Sequence, residues 1–402
     1  MDYSQTHSEE SSLSCTTEPT SCLDGLRLSS LHLENFRNYE QFSLEEISPL
    51  TIFIGPNAVG KTSAIEAIQM LTALKSFRTN QYSQLQHWGC NRCSSEASIQ
   101  GNGRHLVMRL TIENGKRSYQ LNGKNKRIQD LKGLLPAVSF SPDDLELVKG
   151  SNSIRRDAID GIGSQLSKNF YKVKSDFTKL IKQKNKALKD ELPDVFIDSI
   201  DELLVRVGTQ MMSHRMVIIE KMHTEFLRFY QEISGGREKI DIIYIPSWIQ
   251  TAHTSSLQSE EELFAFGVNS SSFDRDEMKI LFSRALQENR AQERARMKSI
   301  IGPHNDKIYF LLNNRNALHY SSQGQQRSIV LAFKLAEASV INEVLHQKPV
   351  LLLDDVLSEL DEKRRQYFLE FISEDIQTFI TTTNTEYFNK KIMAQAEMVH
   401  LT

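Results

Sequence analysis

The chain has 402 residues, 39% of them hydrophobic and 25% charged, with 48 Lys and Arg against 51 Asp and Glu. That length allows two or more lobes with real cores, and a net charge of −3 confines any nucleic-acid surface to a local patch. No apolar run approaches the ~20 residues that span a bilayer, so no membrane partner is expected. Residues 1–25 are rich in Ser and Thr, lack the basic start and apolar stretch of a signal peptide, and carry acids that argue against a transit peptide; they read as a disordered tail. The four cysteines, Cys15, Cys22, Cys90 and Cys93, suggest a reducing compartment, which points to the cytoplasm. "HWGCNRC" groups His87, Cys90 and Cys93, but one such half-site lacks the second pair that a structural zinc needs.

In chain order, residues 26–54 predict strands. Leu26 and Leu28, Leu31 and Leu33, then Phe42 and Leu44 alternate with polar residues, and "LTIFI" (50–54) is the apolar run of a buried strand. Helical spacing follows over 62–75, through Ile65, Ile68, Met70, Leu71 and Leu74. Short strands come next, with Asn-Gly turns at 114–115 and 122–123. "PAVSFSPDDLELVKG" (136–150) reads as a strand, a Ser-Pro turn and a short helix. From about 150 to 300 the pattern is mainly helical, with a polar interruption at 250–275. Strands return at "IYFLL" (308–312), "PVLLLDD" (349–355) and "TFITTT" (378–383), around the long helical pattern that "YSSQGQQRSIVLAFKLAEA" (320–338) opens. No internal repeat and no coiled-coil heptads are visible.

"GPNAVGKT", Gly55 to Thr62, fits the phosphate-loop pattern G-x-x-x-x-G-K-[ST] between a buried strand and a helix, the context that pattern requires. Gly55 and Gly60 let the backbone turn its N–H groups toward phosphates, and Pro56, Asn57, Ala58 and Val59 complete the cradle. Lys61 would reach the β- and γ-phosphates of ATP, and Thr62 would hold Mg²⁺ by its hydroxyl. In "PVLLLDDVLSELDEKRR" (349–365) a buried strand ends in two acids, at the tip that lies beside the phosphate loop in such sheets. Asp354 is placed to bind Mg²⁺ through water, and Asp355 to polarise the attacking water. The bland alternative is that both acids only cap the next helix.

Ser322, Gln323, Gly324 and Gln325 make a second anion site at a helix start, where the first N–H groups lack partners and the dipole is positive. A chain with a phosphate loop needs no second site for its own nucleotide. A second copy of the chain would use it: Ser322 would donate to the γ-phosphate of a partner's ATP, Gly324 would permit close approach, and Gln325 would support the turn. Two chains would then bury two ATP molecules in a two-fold sandwich that ADP supports poorly.

Together, "GPNAVGKT", "SSQGQQR" and "LLLDDVLSELD" resemble the heads of ABC-type ATPases. With "LHLENFRNYE" (31–40), "KSFRT" (75–79), "FSPDDLELVKGSNSIRRDAID" (140–160) and "GPHND" (302–306), the chain more closely resembles the RecF family of bacterial recombination mediators. The resemblance implies an α/β, P-loop ABC/SMC-type head, a mixed sheet with flanking helices, carrying an inserted mainly helical lobe and no long coiled coil. The expected division is the tail (1–25), the head's N-terminal part (26–140), a helical arm lobe (141–300) and the head's C-terminal part (301–402). It also implies an ATP-dependent homodimer on single- and double-stranded DNA at gaps or stalled forks, slow hydrolysis, and work with RecO and RecR to load RecA. By the same match, Arg37, Asn38 and Arg78 should lie near the nucleotide and Asp361 in a dimer contact.

Several positions depart from the related patterns. Ala58 stands where the loop usually has glycine, so its backbone should avoid the left-handed region. Asp355 replaces the glutamate of transporter heads, and Thr383 and Asn384 stand where transporters have a histidine; both favour slow turnover. Asn305 replaces an arginine in "GPHND", and "FSPDD" offers no metal-sensing glutamine.

DNA is expected on "KNFYKVKSDFTKLIKQKNKALK" (168–189), which carries eight lysines against one aspartate. As a helix it places Phe170, Val173, Phe177, Leu180, Ile181 and Leu188 on one face and Lys168, Lys172, Lys179, Lys182, Lys186 and Lys189 on the other. One-sided charge with little acid suits phosphate contact without sequence readout. Lys124, Lys126, Arg127, Arg155 and Arg156 are weaker candidates, the last two with Asp157 and Asp160 as competing partners. Three rivals predict other features: a transporter ATPase subunit would carry a catalytic glutamate and switch histidine, and an ATP-gated nuclease would add acidic metal motifs after the head. The third, a structural ATP-binding clamp, would not hydrolyse.

Overall fold

A computed structural model describes residues 25–249, 260–269, 271–372 and 376–402. Residues 1–24 of the expected tail, and residues 250–259 and 270 of the 250–275 interruption, therefore lie outside the described residues.

The N-terminal strands form a six-stranded antiparallel sheet in the order Tyr39–Leu44, Arg27–Phe36, Arg92–Gly101, Arg104–Glu113, Lys116–Leu121, Lys124–Lys126. Asn114 and Asn122 both turn through positive φ (48° and 50°) ahead of their glycines, the backbone sense that matches strand twist in tight hairpins. A five-stranded parallel sheet runs Glu397–His400, Leu50–Ile54, Thr378–Thr382, Val350–Asp354, Ala137–Phe140. Its outer strand Glu397–His400 pairs along Leu50–Ile54, so the sheet continues past Thr378–Thr382, where the apolar pattern of the sequence ended.

The helix Lys61–Thr72 lies between these two sheets, and all of its residues except Thr62 are buried. Two apolar coats explain why its periodicity is blurred compared with a surface helix. It stops at Thr72, short of the expected 75, because Leu74 adopts φ 60°.

The middle of the chain forms helices Asn152–Leu166, Lys168–Lys189 and the 41-residue Asp194–Ser234. The last two pack side by side as a hairpin, and the long helix also packs on Gln323–Leu345. One correction falls here: Ile240–Ile245, inside the stretch read as mainly helical, is a strand. It pairs antiparallel with Lys307–Leu312 from Ile240 opposite Leu312 to Ile245 opposite Lys307. One apolar cluster runs through Val138, Met212, Phe226, Ile240, Ile308, Phe333 and Leu351, so the middle segment and the parallel sheet share a core.

Candidate nucleotide site

The loop Gly55–Thr62 leaves the tip of Leu50–Ile54 and enters the helix Lys61–Thr72 through Gly60, at φ 118°. A Cβ on Gly60 would come within 2.5 Å of Asn38 Nδ2 and 2.8 Å of Tyr39 Oη, so only glycine fits. Asn38 Nδ2 donates to the Val59 carbonyl at 3.0 Å, tying the hairpin turn after Phe36 to the loop. Lys61 Nζ donates to the carbonyls of Gly55 and Pro56, both at 2.8 Å. Ala58 contradicts the expectation stated for it: φ is 69°, in the left-handed region. Ala58 is exposed, and a non-glycine residue in that conformation costs about 1–2 kcal/mol.

Strand register delivers the second motif. Asp354 lies opposite Thr381, and Thr381 opposite Phe53, which brings the acid pair within one strand of the loop. Thr62 Oγ1 donates to Asp354 Oδ1 at 2.8 Å, and Thr381 Oγ1 donates to the same oxygen at 2.9 Å. Burial raises the Asp354 carboxyl above its ordinary value of 3.8, while those two hydroxyls pull it back. Asp355 N donates to Thr381 Oγ1 at 2.9 Å, its φ is 53°, and its Oδ1 is buried without a hydrogen-bond partner. Asp355 precedes the short helical turn Val356–Ser358 and makes no side-chain cap bond to it.

These elements enclose a cleft of about 500 Å³ lined by Asn57, Ala58, Gly60, Lys61, Thr62 and Asp355, with Arg37, Asn38 and Arg78 along its side. The Arg37 guanidinium is held by Glu66 through Nε and Nη2, each at 2.8 Å, and Arg78 Nη1 lies 3.8 Å from the same carboxylate. Sequence reading missed Glu66, Thr381 and Trp88. Glu66 had a visible signal, one helical turn beyond Thr62. Thr381 had another, in the threonine run at a strand tip. Trp88 had none.

Ser322, Gly324 and Gln325 lie outside that lining. Ser322 caps the helix Gln323–Leu345: its Oγ accepts from Gln325 N at 3.3 Å, and Gln325 Oε1 accepts from Ser322 N at 2.6 Å. Gln325 Nε2 then donates to Glu238 at 2.6 Å. A Cβ on Gly324 would sit 3.4 Å from Arg364, whose Nη1 pairs with Asp361.

The six lysines named on Lys168–Lys189 are all exposed, with Phe170, Val173, Phe177 and Leu188 buried opposite and Leu180 and Ile181 half-buried. Lys184 is different: it is fully buried, 2.6 Å from both Asp201 and Glu293. Arg155 and Arg156 turn inward, Arg155 onto the carbonyls of Leu147, Val148 and Gly150 and Arg156 onto that of Asp306. Asn305 also faces inward, donating to Ile300 O at 2.9 Å. His87 Nδ1 bonds the Arg37 carbonyl and Cys93 is buried in the core; among the described residues no cluster of three or more metal-ligating side chains forms. No helix among the described residues is long and apolar enough to cross a membrane.

The architecture matches known proteins. Residues 27–401 match the RecF/RecN/SMC N terminal domain family. The DNA replication and repair protein RecF of Lactobacillus johnsonii is 32% identical over 93% of this chain and 97% of its own length. That of Gloeobacter violaceus is 35% identical over 92% and 96%. The structure of the recombination mediator protein RecF-ATPrS in the RecFOR pathway superposes with TM-score 0.80 at 28% identity, covering 91% of this chain and 95% of that one. An Smc head domain from Pyrococcus furiosus, TM-score 0.51 at 16% identity and 93% of both chains, shares the fold. An SMC-type ATPase head, with its cleft at the tips of a parallel sheet, and relatives that match it over nearly their whole length lead to one assignment: the chain belongs to the RecF family of DNA replication and repair proteins.

Proposed function

We infer that this chain is an ATP-timed DNA clamp of recombinational repair and replication restart in the cytoplasm. Two copies close on two ATP molecules, hold single- or double-stranded DNA at gaps or stalled forks, hydrolyse ATP slowly, and with RecO and RecR help load RecA. One observation carries the reading: the cleft holds Lys61, Thr62 and Asp355, while the Ser322 turn stays out of its lining. A nucleotide on the loop keeps an open side, and an exposed helix start on the same chain keeps unspent N–H groups. Two-fold closure satisfies both. The Ser322 hydroxyl accepts from Gln325 N, which leaves its proton for a partner's γ-phosphate.

The site's residues fit ATP with Mg²⁺. Tyr39 Oη beside Gly60 and Asp355 Oδ1 are buried with no hydrogen-bond partner, and Lys61 Nζ rests on carbonyls of its own loop. Lys61 would bind the β- and γ-phosphates. Thr62 and Asp354 would hold Mg²⁺, which neutralises phosphate charge. Asp355 would orient the attacking water, and its short side chain suits slow turnover. The RecF-ATP and RecF-ATPrS structures of the RecFOR pathway support the nucleotide and the partners. Lys168, Lys172, Lys179, Lys182, Lys186 and Lys189 would supply the DNA contacts.

Light scattering tests the reading, with no nucleotide, with ADP, and with ATP on Asp355→Asn to block turnover, each with and without a gapped duplex. Dimers with ATP only, lost on Ser322→Arg, are the expected result. A monomer under every condition would reduce the Ser322 turn to a helix cap and end the clamp mechanism, even if ATP still bound.

A further inference from the structure

Trp88 is 93% exposed, the most exposed large apolar side chain among the described residues. A fully solvated indole leaves ~150–250 Å² of mostly apolar surface uncovered; one such side chain alone is ordinary, and its place at the cleft is what matters here. Its backbone is pinned on both sides. His87 N donates to Asn35 O at 2.8 Å, and His87 Nδ1 bonds Arg37 O at 2.8 Å. Gln86 bridges to Phe36, and Cys90 N donates to His87 O at 3.0 Å. The turn that carries Trp88 is thus fixed to the Phe36–Tyr39 hairpin, and that hairpin is fixed to the phosphate loop by Asn38.

Trp88 also stands at the rim of the nucleotide cleft and is the one aromatic side chain in its lining. From Gln86 and Trp88 the space continues into a second recess of about 440 Å³, lined by Arg37, Gln84, His87 and Cys90. Triphosphate fills only the end of the cleft at Lys61 and Thr62. The ribose and base must extend out of that end, and the indole is the apolar plane offered along the way. The geometry points to Trp88 as the platform on which the purine base of the nucleotide stacks, an inference that rests on the phosphate loop holding ATP.

Binding of ATP and of tripolyphosphate, which has no base, is measured by calorimetry on wild type, Trp88→Ala and Trp88→Phe. ATP binding weakens about tenfold or more in Trp88→Ala, the usual loss when an aromatic base platform is truncated. Trp88→Phe retains most of it, and tripolyphosphate binds all three alike. The chain has two tryptophans, and the other, Trp248, is buried, so emission from Trp88 supplies a second readout. It shifts with ATP and not with tripolyphosphate, including in a Ser322→Arg background that keeps the protein monomeric. Equal ATP affinity in Trp88→Ala would overturn the assignment. An emission change confined to dimers would reassign Trp88 to the partner contact, and one confined to DNA complexes would reassign it to nucleic acid. Failure of the wild type to bind either ligand would instead defeat the phosphate-loop reading, and this inference with it.

Discussion

Glu66 has no solvent access, yet it holds Arg37 through two bonds and lies within ion-pair distance of Arg78. A single buried carboxylate therefore positions both arginines that side the cleft, and losing it would leave Arg37 charged and unpaired in a half-dry site. The motif made Lys61 and Thr62 legible because the phosphate-loop pattern specifies residue and position together. Glu66 was legible only as a position one helical turn beyond Thr62; its burial and its hold on Arg37 come from the packing of a second sheet over its helix. Asp354 is the residue-scale test of the site. Burial raises its folded pKa above 3.8, so the folded state binds that proton more tightly than the unfolded chain. The stability tied to it is full below the ordinary carboxyl value and is lost as pH rises through the raised folded value. Asp354→Asn should therefore raise the Tm of the nucleotide-free protein near neutral pH, because the amide carries no charge to bury. It should also flatten the pH dependence and abolish the extra Tm that ATP with Mg²⁺ gives the wild type. Calorimetric scans across pH check all three; a lowered Tm would mean that the two threonine hydroxyls outweigh the burial.

At the scale of elements, Lys168–Lys189 shows how far periodicity reaches. The exposed lysines follow from helical spacing alone. So does the exception, because Lys184 continues the Phe177, Ile181, Leu188 stripe; its buried pairing with Asp201 and Glu293 depends on two other helices, which no local pattern names. The lysine face should carry the DNA. Lys179 spends part of its charge on Asp176 at 3.1 Å, an exposed pair of little worth. Reversing Lys179, Lys182 and Lys186 to Glu should weaken duplex binding and lower the slope of log K against log salt by about 0.9 for each phosphate that is no longer neutralised. Fluorescence anisotropy across a salt series measures it, and an unchanged slope removes this helix from the DNA path. The strand Ile240–Ile245 was hidden by contrast. "IDIIYI" is short, follows a helix of 41 residues, and finds its partner more than sixty residues later.

For the whole molecule, that late pairing decides what can be separated. A boundary at 141–300 follows the helical composition, but the segment's strand is paired to Lys307–Leu312 and its apolar side chains share a cluster with Ile329, Leu351 and Ile380. A fragment of residues 141–300 should give no cooperative unfolding transition by circular dichroism, whereas the full chain should; a cooperative fragment would make the arm an autonomous domain. The sequence by itself determined the phosphate loop, the acid-tipped strand, the capped helix at Ser322 and the lysine face, because each is a short-range pattern whose backbone or periodic geometry is set within a few residues. Only the tertiary structure decided that Thr62 and Asp354 touch, that Glu66 binds Arg37, that Trp88 stands at the cleft and that the middle segment shares the head's core. Those contacts join residues tens to hundreds of positions apart, and strand order and sheet packing, rather than local preference, bring them together.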